Sequence, residues 1–131
     1  MRQGYRRTKT TVSLLNFHFV WCPKRRQKVL AGPVERDLRK LLLLKAADLD
    51  CKILALEIMP DHVHLFLNCP PTLSPSDAMF WLKGSTSRIL REKYPHLQRM
   101  TSLWTRSYFV STAGHVSSET IQRYIAQQRT R

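Results

Sequence analysis

The chain has 131 residues, of which 43% are hydrophobic, so it is long enough to bury a core and too apolar for wholesale disorder. Its apolar runs, such as Leu41 to Leu44, are far shorter than the ~18 residues of a membrane span, which excludes a transmembrane helix. Lys and Arg number 22 against 9 Asp and Glu, and the resulting net charge of +13 favours a phosphate-rich partner, above all nucleic acid.

The N-terminal segment, residues 1–11, is basic, and we expect it to be the flexible tail of a single domain that spans residues 1–131. No charge-free apolar stretch with a cleavage site follows it, so we expect no secretory signal. The three cysteines, Cys22, Cys51 and Cys69, are far apart in the sequence and fit neither a disulfide framework nor a paired-cysteine zinc motif. These features predict a reducing, cytoplasmic location, at the nucleoid when DNA is bound.

The first half of the chain contains three predicted strands and one helix. Ser13 to Cys22 is rich in aromatic and β-branched residues, which favours a strand. After a basic loop, Pro33 opens a helix whose apolar residues recur at helical spacing as far as Leu49. Lys52 to Met59 and His62 to Asn68 are strands that a tight turn joins into an antiparallel hairpin.

The second half adds two helices and a fourth strand. A serine N-cap and a proline at the first helical position start a helix from Pro75 to Tyr94. Trp104 to Thr112 is a strand, residues 113–117 form a flexible break, and a last helix spans residues 118–130. The order β-α-β-β-α-β with an additional C-terminal helix predicts an α+β, ferredoxin-like or RRM-like fold. Its antiparallel sheet has the first and third strands in the middle, two helices on one face and the other face open.

The most informative segment is the third strand, which begins with two histidines separated by a valine. Because side chains alternate along a strand, His62, His64 and Phe66 point to the open face, and the aliphatic residues between them point to the helices. Two histidines at this spacing can chelate one divalent ion. Two histidines alone do not complete the coordination of such an ion. The alternative to a metal site is a pair of half-exposed histidines without a ligand role.

Three further side chains are candidates to complete or orient this pair. Glu57 precedes the hairpin turn, and its carboxylate is a candidate ligand or a partner that orients a histidine, with a surface charge as the alternative. Asp61 lies directly before the first histidine, and His18 lies on the polar side of the first strand.

The last helix carries Tyr124 and Gln128, which are four residues apart and therefore share one helix face. Packing is the default role of a tyrosine. Its neighbours in the sequence are nevertheless polar, among them Arg123 and Gln127, and a helix this polar is an unusual place for a ring that is merely buried.

Four segments taken together resemble a known family. They are residues 60–65 (PDHVHL), 83–88 (KGSTSR), 103–108 (LWTRSY) and 121–128 (IQRYIAQQ). Each motif alone is weak. Their combination closely resembles the single-tyrosine HUH transposases of small insertion sequences, the TnpA type, over nearly the whole chain.

The resemblance implies a DNA transposase that cleaves and rejoins single-stranded DNA at insertion-sequence ends and recognises hairpins near those ends. It implies that His62 and His64 hold a divalent metal, Mg²⁺ or Mn²⁺, that Gln128 is the third ligand, and that Tyr124 is the nucleophile on a catalytic C-terminal helix. Attack by a tyrosine gives a 5′-phosphotyrosine and a free 3′-hydroxyl, so that no ATP is required. The resemblance also implies a homodimer in which the last helix docks on the partner's sheet, so that the subunits share their active sites.

Basic and hydroxyl side chains on the second helix and near the N-terminus are the expected DNA contacts. They are Arg6, Arg7, Lys24, Arg25, Arg26, Lys83, Ser85 and Arg91. For each of them a solvated surface position is the alternative.

Two other functions fit parts of the pattern. A non-catalytic RRM-like module would use Phe17, Phe19 and Phe66 to stack single-stranded nucleic acid, but the third strand carries histidines in place of the RRM signature. A domesticated transposase that acts on repeated palindromes is the second alternative. A larger relaxase-like initiator is disfavoured by the short chain and by the presence of one tyrosine, Tyr124, on the last helix.

Overall fold

An antiparallel sheet with its two long helices on one face organises the chain, and the computed structural model describes residues 4–112 and 118–131. The strands are β1 (Arg6–Arg7), β2 (Val12–Ser13), β3 (Leu15–Trp21), β4 (Lys52–Met59), β5 (His62–Cys69) and β6 (Phe109–Thr112). The helices are α1 (Pro33–Asp48), α2 (Pro75–Lys93), α3 (Pro95–Gln98) and α4 (Ser118–Gln127), with 3-10 turns at Lys24–Arg26 and Gln128–Thr130.

The spatial order of the main sheet is β4-β5-β3-β6, with every neighbouring pair antiparallel. The predicted α+β fold, with the first and third long strands in the middle, is therefore confirmed. Because the side chains alternate, Val63, Leu65 and Leu67 are fully buried under α1 and α2, whereas His62 and His64 stand half-buried on the other face. We call that second surface the open face.

The two long helices begin where the sequence predicts. Ser74 caps α2, since its Oγ accepts a hydrogen bond of 3.1 Å from the backbone N–H of Asp77. Gly32 precedes α1 with φ +58°, a conformation that L side chains rarely adopt, and Pro33 then occupies the first helical position. Inside the helical layer, the indole N–H of Trp104 donates to Thr86 Oγ1 over 3.1 Å.

The N-terminal segment differs from the predicted flexible tail. Residues 6–7 pair with residues 12–13, and the Arg6 guanidinium donates hydrogen bonds of 2.8 Å to Asn68 Oδ1 and to the carbonyl oxygen of Asp50. Strands of two residues carry no periodic signal, and the arginine that anchors them finds its partners 62 and 44 residues further along the chain.

The fourth predicted strand is shorter than expected. Residues 109–112 pair with β3, whereas Trp104 makes only an isolated bridge to Pro23. Between them, the carbonyl oxygens of Thr105 and Ser107 accept hydrogen bonds of 2.7 and 3.0 Å from Lys83 Nζ on α2, which holds this segment off the ladder. The predicted flexible break at residues 113–117 lies outside the described residues.

Two of the three cysteines that are distant in the sequence are neighbours in the fold. The Sγ atoms of Cys51 and Cys69 are 3.8 Å apart in the buried core, and all three cysteines are free thiols. Within residues 4–112 and 118–131, no helix is long and apolar enough to cross a membrane.

Candidate active site

His62 and His64 stand side by side on the open face of β5. Their ring centroids are 4.9 Å apart and their planes are nearly perpendicular, at 82°. Glu57 on the edge strand β4 lies opposite His64 in the register, but its side chain is exposed. The pair is brought together by strand alternation, as the sequence predicts.

Asp61 orients the first histidine. Its Oδ1 lies 2.8 Å from His62 Nδ1, and its Oδ2 accepts hydrogen bonds of 3.1 and 2.7 Å from Nε and Nη2 of Arg26. Burial raises the pKa of Asp61, but the hydrogen bonds from Arg26 and His62 outweigh burial and hold that pKa below its usual value. The ionised carboxylate accepts hydrogen bonds only, so His62 Nδ1 carries a hydrogen and Nε2 presents its lone pair on the opposite edge of the ring.

His18 supports the second histidine from the neighbouring strand β3. Its Nε2 lies 3.4 Å from His64 Nδ1, and its ring stacks on Phe66 with centroids 4.5 Å apart and planes within 5°. Burial lowers the pKa of both His18 and His64, and repulsion between imidazoles that would carry like charges when protonated lowers that of His64 further, against an opposing effect of Glu57. The lowered pKa values favour neutral imidazoles at pH 7, which is the form that binds metal.

The donor chemistry of this pair fits a divalent ion with further ligands from elsewhere. Both rings turn Nδ1 towards a protein partner and therefore keep Nε2 available. In the described part of the chain, no group of three or more His, Cys, Asp or Glu side chains is arranged to hold a metal, so His62 and His64 need a ligand of another kind. A cavity of about 410 Å³ opens beside them, lined by His18, Ala55, Leu56, Glu57, His64 and Phe66.

The helix α4 packs on the open face of its own chain. Ile125 is buried against Val20 and Cys22 of the first long strand and the residue after it, and the ring of Tyr124 lies 6.1 Å from that of Phe109. Val20 lies opposite His64 in the register, so the tyrosine-bearing helix sits next to the histidines. Docking of the same helix on a partner's sheet, which the resemblance implies, stays a prediction.

Ser107 holds Tyr124 and Gln128 together. Its Oγ donates to Gln128 Oε1 over 2.8 Å and lies 3.0 Å from Tyr124 Oη, while Gln128 Nε2 donates to the carbonyl oxygen of Tyr124 over 3.2 Å. A hydroxyl has one hydrogen, so the phenol must donate to Ser107. Burial is the largest influence on Tyr124 and raises the pKa of its phenol above the usual value.

The structure thus forms two clusters on one face, the histidine pair and the Ser107–Tyr124–Gln128 group. Within residues 4–112 and 118–131, no hydrogen bond joins Tyr124 or Gln128 to either histidine, and Gln128 Oε1 is occupied by Ser107. Gln128 is 1% exposed. It is therefore buried beside the tyrosine, as helical spacing predicts, but it does not contact the other two predicted ligands.

Half of the side chains expected to contact DNA make hydrogen bonds within the protein. Three of them bind the partners described above, namely Arg6, Arg26 and Lys83. The fourth, Arg91, donates to three carbonyl oxygens, and its shortest hydrogen bond, to that of Met100, is 2.7 Å. The other four are exposed or half-buried, namely Arg7, Lys24, Arg25 and Ser85.

The sequence did not predict that Ser107 contacts the tyrosine, nor that Arg26 points into the protein and binds Asp61. Ser107 lies in the LWTRSY segment that carries part of the family resemblance, and this was the only signal available for it. Arg26 belongs to a basic run whose members look alike in sequence, and only the fold separates it from its neighbours.

Comparison with known proteins agrees with the family that the motifs resemble. A family model described as "Transposase IS200 like" matches residues 11–128. The ISDra2 transposase TnpA of Deinococcus radiodurans is 36% identical over 117 residues, which are 87% of this chain and 84% of that protein.

Solved structures show the same architecture. The crystal structure of a transposase from Deinococcus radiodurans has a TM-score of 0.85 and 33% identity, with 96% of this chain and 99% of that chain covered. The structure of a REP-associated tyrosine transposase bound to a REP hairpin has a TM-score of 0.54 and 16% identity, with 95% of this chain and 68% of that chain covered, which is a likeness of fold alone.

Proposed function

This chain belongs to the IS200-like transposase family, and from that premise we propose that it cleaves and rejoins single-stranded DNA at insertion-sequence ends with Tyr124 as the nucleophile. One observation carries the proposal. A helix bearing a tyrosine packs on the open face of the sheet directly beside two histidines that present their Nε2 atoms. The two long helices, α1 and α2, pack on the opposite face of the sheet.

The proposed step is a transesterification at a DNA phosphate. Tyr124 Oη attacks the phosphorus, the bond to the 3′-oxygen breaks, and the phenolic proton is balanced by the proton that the released 3′-hydroxyl acquires. Rejoining is the reverse reaction with a different 3′-hydroxyl, so neither water nor ATP is consumed.

The tyrosine needs help to react. With an ordinary pKa of about 10, roughly one tyrosine in a thousand is ionised at pH 7, a deficit of about 4 kcal/mol. Burial raises the pKa of Tyr124 further, so the unassisted phenol is a poor nucleophile. The chain's own contribution in the described arrangement is Ser107, which accepts the phenolic hydrogen bond and fixes the position of the oxygen.

The metal site that we propose consists of His62, His64 and Gln128. These residues would hold Mg²⁺ or Mn²⁺, which would supply Lewis-acid stabilisation of the charge that develops during transesterification. The three side chains are neutral ligands and leave the charge of the ion undiminished. Gln128 must exchange its hydrogen bond to Ser107 for this role, and Asp61, His18 and Glu57 act by orienting the histidines or adjusting their charge.

The proposed substrate is single-stranded DNA with hairpins near the cleavage sites, and the proposed assembly is a homodimer that acts on the chromosome in the cytoplasm. The net charge of +13 supports the first part. The contact of Ile125 with Val20 and Cys22 supports the homodimer. Each subunit of a dimer carries both the helix α4 and the apolar surface on which α4 packs, so α4 of one subunit can pack on the other subunit. Exchange of the last helix between subunits then gives shared sites.

Cleavage of matched oligonucleotides tests the proposed function. We expect a single strand from the element end to be cleaved in Mg²⁺ or Mn²⁺, and neither its duplex nor a sample with chelator to react. His62→Ala and His64→Ala should each abolish cleavage but keep hairpin binding. His96→Ala, on the exposed short helix α3, is the matched control and should retain activity. Cleavage that continues in chelator would contradict the metal site, and binding lost together with cleavage would indicate a structural role for the histidines.

A further inference from the structure

The turn between β3 and α1 has an unusual backbone. Arg25 and Arg26 are consecutive residues with φ of 56° and 52°, in the left-handed region that residues with a side chain rarely adopt. The turn is held by hydrogen bonds from Lys24 N–H to the Leu103 carbonyl over 2.8 Å and from Arg26 N–H to the Pro23 carbonyl over 2.9 Å. Strained backbone persists only where the surroundings impose it, and it is concentrated at functional sites.

The turn directs one of its two arginines into the protein. Both Nε and Nη2 of Arg26 donate to the same oxygen of Asp61, Oδ2, and the two side chains are only 17% and 11% exposed. Arg25, with the same side chain and the same sign of φ, is exposed, and in the described part of the chain its guanidinium has no hydrogen-bond or ion-pair partner.

Occupation of one carboxylate oxygen leaves the other for the imidazole. Asp61 Oδ1 lies 2.8 Å from His62 Nδ1, so the guanidinium, the carboxylate and the ring form one chain of hydrogen bonds. A carboxylate fixed in this way accepts a hydrogen from Nδ1 and leaves the lone pair on Nε2. Without the guanidinium, the carboxylate is free to rotate away from the ring.

We propose that Arg26 is a positioning residue that fixes the tautomer and the orientation of His62 through Asp61. The left-handed turn is the device that brings its guanidinium to the carboxylate. This inference rests on the proposed function to the extent that His62 is taken as a metal ligand, but the tautomer itself is a property of the protein without metal.

The tautomer of His62 is measured by nitrogen-15 NMR of the full-length protein at about pH 8, above the ordinary histidine pKa. We expect the native protein and Arg25→Gln to show the ring with its hydrogen on Nδ1. Arg26→Gln should show a mixture of the two tautomers. Arg26→Lys, which keeps a positive charge but not the two donors to Asp61 Oδ2, is the second variant and should show the same mixture, which keeps the test decisive if Arg26→Gln is unstable. Asp61→Asn should also lose the fixed tautomer, because it removes the ionised acceptor of His62 Nδ1.

Titration with Mn²⁺ gives an independent readout. Loss of a residue that orients a ligand typically lowers metal affinity about 10- to 100-fold, and we expect this fall for Arg26→Gln and no change for Arg25→Gln. A purely structural ion pair would lower thermal stability without altering the tautomer or the affinity. That result, or a native tautomer in a folded Arg26→Gln, would overturn the proposal.

His62→Ala separates this proposal from the proposed function. If His62→Ala loses Mn²⁺ binding but Arg26→Gln retains it and keeps the native tautomer, the positioning role is wrong and the metal site stands. If His62→Ala binds Mn²⁺ like the native protein while Arg26→Gln alters the tautomer, the metal site is wrong and the positioning role of Arg26 stands.

Discussion

The ammonium group of Lys83 is held inside the protein by the carbonyl oxygens of Thr105 and Ser107. Burial lowers its pKa from 10.5 to about 8. The unfolded chain therefore binds this proton more tightly than the folded chain, and the folded state is penalised wherever Lys83 stays charged. The hydrogen bonds of Lys83 fix the segment that presents Ser107 to the tyrosine. The free-energy cost of burying the ammonium group therefore accompanies the formation of the candidate site.

We expect the stability of the native protein, relative to a Lys83→Met variant, to rise between about pH 8 and about pH 10. In that window the unfolded chain holds a proton that the folded chain has lost, so each increase in pH favours folding. The full effect is about 3 kcal/mol. Thermal unfolding of both proteins across the window measures it. A difference in Tm that does not change with pH would show that the ammonium is not desolvated.

At the scale of single elements, α4 depends on its docking surface. It has ten residues, fewer than an isolated helix needs to be stable in water. Among its described side chains, Ile125 is 8% exposed and packs against Val20 and Cys22. This contact, the packing of the Tyr124 ring against Phe109 and the hydrogen bond to Ser107 together hold the tyrosine in position.

Replacement of Ile125 should release α4 from the sheet. Burial of an isoleucine is typically worth about 2–5 kcal/mol, so Ile125→Ala should undock α4 while the sheet and α1 remain folded. Hydrogen exchange measures the change, with faster exchange expected at the amides of α4 and native rates at those of α1. Gln122→Ala, at an exposed position of the same helix, should leave both unchanged. Native protection of α4 in Ile125→Ala would contradict the docking described.

The long elements were predictable because each has a local signal. The cap at Ser74 and the alternation from His62 to Leu67 are both readable within a few residues. The contacts that complete the site have no such signal, because they join residues that are far apart: Arg26 meets Asp61 across 35 positions and Ser107 meets Tyr124 across 17. For the same reason the sequence predicted the histidine pair and the neighbours Asp61 and His18, but not the contact of Arg26 with Asp61 or that of Ser107 with Gln128.

At the scale of the whole molecule, charge is the dominant feature. The net charge is +13, although some of the cations expected to contact DNA are bound to the chain's own oxygens. The exposed cations, such as Arg7 and Arg25, remain available to phosphates. Binding should therefore be strongly electrostatic without depending on every arginine of the basic run.

We expect the affinity for a DNA hairpin to fall with salt, with a log–log slope of about −3 or steeper, since each phosphate neutralised on a single strand contributes about −0.7. Arg7→Gln should reduce the magnitude of the slope by about 0.7, the contribution of one phosphate. Fluorescence anisotropy at several salt concentrations provides the measurement. A slope near zero would show that the charge is not used on the DNA backbone.

Mixing two inactive variants tests the sharing of sites between subunits. Tyr124→Phe and His62→Ala homodimers should each be inactive. If the last helix docks in trans, a heterodimer has one site with both defects and one with neither, so cleavage should return after subunit exchange. If it docks in cis, every site carries one defect. Persistent inactivity, with exchange demonstrated by mass spectrometry, would contradict the shared site.

Locating the covalent bond between protein and DNA shows directly whether Tyr124 is the nucleophile. After reaction with a cleavable single strand in Mn²⁺ and digestion by protease, mass spectrometry should find the 5′-phosphate of the downstream DNA on the peptide that bears Tyr124, with a free 3′-hydroxyl on the upstream DNA. Tyr124→Phe should give no adduct and no cleavage. An adduct on Tyr5, Tyr94 or Tyr108, or equal cleavage by the native protein and Tyr124→Phe without any adduct, would contradict the account.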